Sequence, residues 1–121
     1  MARDSFHDFV RELFAGLGPV EVKRMFGGAG VYAEGRMFAL LADDAIYLKT
    51  DAALQRALEK EGCGPFIWQP ASGPRAGEKV AMSYWRLPDA ALDDPELAVQ
   101  WGAKALAVAL AKPAPKRKGK R

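Results

Sequence analysis

The segment Arg24-Met25-Phe26-Gly27-Gly28-Ala29-Gly30-Val31-Tyr32 constrains the fold more than any other, because its glycines run straight into a β pattern. A phosphate-cradling loop needs glycines between a strand and a helix N-terminus. It also needs a Lys-Ser/Thr pair or a distant ribose-binding acid, so that backbone N–H groups and the helix dipole face the anion. Here Val31-Tyr32-Ala33 follows, and those partner residues are missing. The glycines therefore read as a bulge or tight turn between two strands, where only glycine takes positive φ at little cost. A nucleotide-type enzyme or small-molecule sensor built on Gly27 to Gly30 is the least supported alternative.

The flanking sequence extends this β reading. Val20-Glu21-Val22-Lys23 alternates with period two, and Glu34-Gly35 and Asp43-Asp44 are two-residue hairpin signals between Val31–Ala33, Met37–Ala42 and Ala45–Lys49. Met37-Phe38-Ala39-Leu40-Leu41 is apolar throughout. That suits a central strand covered on both faces, or one whose Met37, Ala39 and Leu41 face a second copy. Upstream, Phe6, Phe9, Val10, Leu13, Phe14 and Leu17 recur at helical spacing behind Ser5-Phe6-His7-Asp8, which has capping-box spacing. This helix should stop at Gly16 to Gly18, before Pro19.

Downstream, Asp51 caps a predicted helix through Leu54 and Leu58, stopped by Gly62. Phe66-Ile67-Trp68-Gln69 and Val80 to Leu87 read as strands around a Pro- and Gly-rich loop. Asp94-Pro95 opens a last helix running toward Ala111. The order α-β-β-β(-β)-α-β-β-α predicts an α+β two-layer sandwich, with helices on one side of a curved, largely antiparallel sheet of about five strands.

A chain of 121 residues fits one domain, and the apolar residues are interleaved with charges rather than gathered into a membrane span. The N-terminus reaches acids at once and shows no apolar h-region, so the expected location is cytoplasmic. The net charge of +3 is unevenly placed. Lys112, Lys116, Arg117, Lys118, Lys120 and Arg121 supply six cations with no acid among them, leaving twelve cations against fifteen acids and a body of −3. The division is a domain over 1–112 and a basic tail over 113–121, which holds nothing apolar larger than Ala and is expected to be disordered. Only the tail argues for an anionic partner.

The residues point to no reaction. The lone Cys63 allows no intramolecular disulfide and sits in a Gly-Pro loop without an evident base, since the sole imidazole, His7, lies in the first helix. Asp43-Asp44 and Asp93-Asp94 fit turn and cap roles better than a catalytic or metal site. Ser83 has no nucleophile elbow around it. Phe66, Trp68, Met82, Tyr84 and Trp85 suit a base-stacking sheet platform, but core packing of such aromatics is commoner and the body is acidic. No cofactor is expected.

Taken together, Lys23 to Tyr32, Met37-Phe38-Ala39-Leu40, Leu48-Lys49-Thr50-Asp51, Gly64-Pro65-Phe66 and Met82-Ser83-Tyr84-Trp85-Arg86-Leu87-Pro88 resemble the TfoX (Sxy) N-terminal domain family. The resemblance covers roughly residues 4 to 112. It implies a small α+β domain of bacterial competence regulators, which assists a transcription activator or RNA polymerase and catalyses nothing. The family's motif falls on Arg24, Met25, Phe26, Gly27, Gly28, Gly30, Tyr32, Phe38, Met82, Ser83, Tyr84 and Trp85. Most of these are expected to be fold determinants, with Arg24 in a polar role as an ion pair or partner contact. Those regulators carry a second, helical domain, whereas this sequence ends in the basic tail, so a single-domain member is expected. Two functions follow: a protein-binding regulatory module whose tail adds nonspecific DNA affinity, or a dimerising interaction protein with no nucleic-acid role.

Overall fold

The computed structural model describes residues 2–25, 28–68, 73–74, 76–78 and 80–111, and only the backbone of residues 2–4, 68, 80 and 81. The chain runs α1 (Ala2–Leu13), β1 (Glu21–Met25), β2 (Gly28–Ala33), β3 (Arg36–Ala42), β4 (Ala45–Lys49), α2 (Ala52–Lys60), β5 (Pro65–Trp68), β6 (Val80–Arg86) and α3 (Pro95–Ala111). The strands form one antiparallel sheet in the order β1-β2-β3-β4-β6-β5. One contiguous core joins Val10 and Leu13 of α1, Phe14 just after it, Leu54 and Leu58 of α2 and Ala98, Ala105 and Leu106 of α3 to the sheet. All three helices therefore cover the same face. The predicted α+β sandwich is observed, with six strands.

The hairpins follow from their turn residues. Ala33 pairs with Arg36 and Ala42 with Ala45, leaving two-residue loops. Glu34 and Gly35 have φ of 53° and 77°, and Asp43 and Asp44 have 51° and 58°. Positive φ at both positions gives the loop a twist that matches the right-handed twist of the strands. Met25 pairs with Gly28, and residues 26–27 between them lie outside the described residues.

The glycine run thus lies at a strand-to-strand junction, but the reason for Gly28 and Gly30 differs from the expected one. Both belong to β2, and neither has positive φ. They are glycines because nothing larger fits. A Cβ on Gly28 would collide with the Leu41 carbonyl oxygen of β3 and lie 3.1 Å from its carbon. A Cβ on Gly30 would come within 2.9 Å of Met37 Sδ and 3.0 Å of the Tyr32 ring.

The first helix starts earlier than the capping-box spacing predicts, so Ser5 lies inside α1. The Asp8 carboxylate does not serve the box, because it accepts a hydrogen bond from Arg11 at 2.7 Å. Its far end is as expected: a 3-10 turn over Ala15–Leu17 leads to Gly18 at φ 105°. The other two caps hold. Asp51 Oδ1 accepts from Leu54 N at 2.9 Å, and Asp94 Oδ1 from Leu97 N at 3.2 Å.

Candidate functional site

Register decides which side chains the helices leave uncovered, because cross-strand partners share a face and adjacent residues on a strand alternate. Val22 pairs with Val31, Val31 with Ala39, Ala39 with Leu48, and Leu48 with Trp85. That row belongs to or packs against the helix-side core. The next row, Lys23, Gly30, Leu40, Tyr47 and Arg86, must face away from the helices. So must Tyr32 with its partner Met37, and Lys49 with its partner Tyr84.

A bulge splits the expected apolar face of Met37, Ala39 and Leu41. Val31 pairs with Ala39 but Tyr32 with Met37, so Phe38 is an extra residue and the alternation breaks there. Ala39 and Leu41 are buried on the helix side, while Met37 is on the open face beside Tyr32 and over Gly30. The expected dimer face does not exist in that form. Phe38 turns inward, its ring edge on to Phe14 at 5.4 Å.

The open face carries paired cations and aromatic rings. Lys23 Nζ lies 4.9 Å from the Tyr32 ring centroid, and Lys49 Nζ lies 5.2 Å from that of Tyr84. The Tyr47 and Phe66 rings meet edge on at 5.0 Å. Burial, followed by the neighbouring Tyr32, raises the Tyr84 hydroxyl pKa above its usual value. The candidate aromatics therefore divide. Trp85 packs against the core, Phe66 and Tyr84 are on the open face, and the Trp68 side chain lies outside the described residues.

The other motif residues separate by role. Arg24 and Met25, both exposed at the end of β1, line a cleft of about 400 Å³ with Gly28, Leu41, Ala42, Asp43, Asp44 and the α1 residues Phe6 and His7. Met82 is half-buried. Ser83 is exposed, and its useful group is the carbonyl, which accepts from Thr50 N at 2.9 Å and Thr50 Oγ1 at 2.7 Å. Phe26, Gly27 and the cations of 112–121 lie outside the described residues.

Cys63 is half-buried, and burial, with Asp89 adding to it, pushes its thiol pKa up. That is the reverse of nucleophile activation. Among the described residues no group of three or more His, Cys, Asp or Glu is placed to hold a metal ion. The described helices include none long and apolar enough to cross a membrane.

Sequence reasoning missed Lys23, Tyr47, Lys49 and Arg86 on the open face, and His7 in the cleft. Lys23, Tyr47 and Lys49 were visible as the outward positions of alternating strands once the register was known, whereas nothing local marks His7.

The model of the TfoX N-terminal domain family matches residues 12–109. A stretch of 63 residues, 52% of this chain, is 32% identical to DNA transformation protein TfoX1 of Aliivibrio fischeri (strain ATCC 700601 / ES114), of which it spans 28%. The match covers all the strands and most of the helices of the sandwich, and on this ground the chain belongs to the TfoX N-terminal domain family.

Proposed function

We propose that this is a non-catalytic regulatory domain that binds a protein of the transcription machinery, an activator or RNA polymerase, across its open sheet face. The observation that carries the reading is the row of half-buried apolar and aromatic side chains there, Tyr32, Met37, Leu40, Tyr47 and Tyr84, bordered by Lys23, Lys49 and Arg86. Tyr, Met and Arg are the types enriched in the cores of protein interfaces. Membership of a family that includes a DNA transformation protein supports a role beside transcription. The basic tail adds nonspecific DNA affinity in this reading, and the domain acts in the cytoplasm.

Fluorescence anisotropy with purified RNA polymerase, with and without a competence-promoter activator, tests it. A Leu40→Glu substitution puts an unpaired charge in the middle of the face. It should weaken binding about tenfold or more while leaving thermal melting nearly unchanged, since buried interface charges cost that much. Equal binding by the variant, or no binding by either protein, overturns the reading. Sedimentation in the same buffer separates the alternative: a dimer dispersed by Leu40→Glu, without polymerase binding, makes the same face a homodimer interface.

A further inference from the structure

The two edges of the sheet are unlike. β5 is four residues long and begins with Pro65. The Gly64 carbonyl accepts from Arg86 N at 2.9 Å, so the next residue turns its backbone outward, and proline has no N–H to offer there. β1 lies at the other end, with no described strand beyond it. Four of its five residues are exposed, whereas no residue of β2, β3 or β4 is. An edge of this kind is a template for a further strand.

The ladder fixes which groups of β1 point outward, because residues of an antiparallel strand send N–H and C=O together to alternate sides. The Ile46 carbonyl accepts from Leu87 N at 2.9 Å, so Ile46 faces β6 and Tyr47 faces β3. Tyr47 lies opposite Leu40, so Ala39 and Leu41 face β2. Gly30 then faces β1, and its partner Lys23 faces β2. Val22, next to Lys23, therefore turns its N–H and C=O away from the sheet.

The side chains decide which register a second copy can take. A two-fold antiparallel pairing centred on Val22 sets Val22 against Val22 of the second copy and Glu21 against Lys23 on both sides of the axis. Beyond them Met25, 45% exposed, meets the exposed Pro19, at a position that asks for no N–H. Centred one residue on, the pairing sets Lys23 against Lys23, and like charges directly opposite are destabilising. Within one chain Lys23 Nζ lies 3.8 Å from Glu21 Oε1 and both side chains are exposed, so both charges stand on the surface that a second copy would meet.

We infer that β1 pairs antiparallel with β1 of a second copy in the register centred on Val22. Two Val22 to Val22 hydrogen bonds and two Glu21 to Lys23 pairs join the copies, and the six strands of each form one continuous sheet. Cross-strand partners share a face, so both open faces lie on the same side. The contact uses the edge of the sheet and not its face, so it stands or falls independently of the partner reading above. It is small, and the dimer should dissociate at about 1–100 µM, as limited transient interfaces do.

Sedimentation of the full chain across that range tests it. Glu21→Lys and Lys23→Glu each turn two attractive pairs into two repulsive ones, and each alone should weaken self-association about tenfold or more. An equimolar mixture of the two variants should associate again, since every 21 and 23 position then meets its opposite charge. Both positions are exposed, so each variant should melt close to the parent. Leu40→Glu, on the open face, should leave the dimer intact, and amide exchange at Val22 should slow as protein concentration rises. A monomer throughout, or single variants that associate as the parent does, overturns the inference. So does a mixture that fails to associate, a dimer dispersed by Leu40→Glu, or Val22 exchange that ignores concentration.

Discussion

Single atoms set the strictest limits on this fold. Gly28 and Gly102 are both forced by neighbours, and the sequence shows neither reason. Gly28 was legible as a β-junction residue because its glycine cluster precedes a β run, but the carbonyl of Leu41 comes from another strand and leaves no local trace. Gly102 lies in the middle of α3, where glycine lowers helix propensity. It is there because a Cβ would come within 2.9 Å of two Phe14 ring atoms. Gly28→Ala should cost about 2 kcal/mol or more, since the obstacle is backbone, and Gly102→Ala about 1–3 kcal/mol net of the helix gain, by urea denaturation. At Cys63 the folded protein holds the thiol proton more tightly than the unfolded chain, burial being the main cause. Its contribution is therefore fully present below the ordinary pKa of 9.0 and is lost as pH rises through the raised value. The urea midpoint should fall as pH rises past about 9, less steeply for Cys63→Ala, and iodoacetamide should label the native thiol more slowly than a free cysteine peptide.

Whole elements were the most legible level, because their signals are local. Glu34-Gly35, Asp43-Asp44, Asp51, Asp94-Pro95 and Gly62 each mark an end that the structure keeps. Two readings failed. The capping box at the start of α1 did not form, Asp8 pairing with Arg11 one turn on instead, and the face of β3 was misassigned for a long-range reason, since a bulge depends on how β2 and β3 pair. The joint between β4 and α2 was likewise hidden. Thr50 is 2% exposed, donates to the Ser83 carbonyl at 2.7 Å and accepts from Gln55 Nε2 at 3.0 Å, tying the strand end to β6 and to the next helix. Thr50→Val keeps the shape, and the Ser83 carbonyl keeps its bond from the N–H of residue 50, but both hydroxyl bonds are lost, so it should lower stability by about 1 kcal/mol in chemical denaturation. Arg36 does similar work at the far end of α3, donating to the Ala109 carbonyl at 2.9 Å.

At the scale of the molecule, charge is separated from architecture. The six cations of 112–121 follow an otherwise acidic body, so salt-dependent DNA binding should belong to them. If all six meet phosphates, the log affinity falls by at most about 5 per decade of salt. Deleting 112–121 should flatten that slope in anisotropy titrations with duplex DNA, and an unchanged slope would rule the tail out. The candidate sites were less legible than the fold for a related reason: the open face gathers β1 to β4 with β6, and the cleft gathers α1 with two hairpin ends. The strand order has a consequence of its own for how the chain assembles. Strands β1 to β4 join neighbours in sequence, so each pairing closes only a two-residue loop, whereas Lys49 meets Tyr84 across the whole of α2, β5 and the following loop. Closing that separation carries the larger entropic cost, so the four-strand meander should form first and the β4-β6 seam should zip late. The same seam should be the line along which the folded sheet opens, with β5 and β6 leaving together and the Thr50 bonds to the Ser83 carbonyl broken while the meander stays paired.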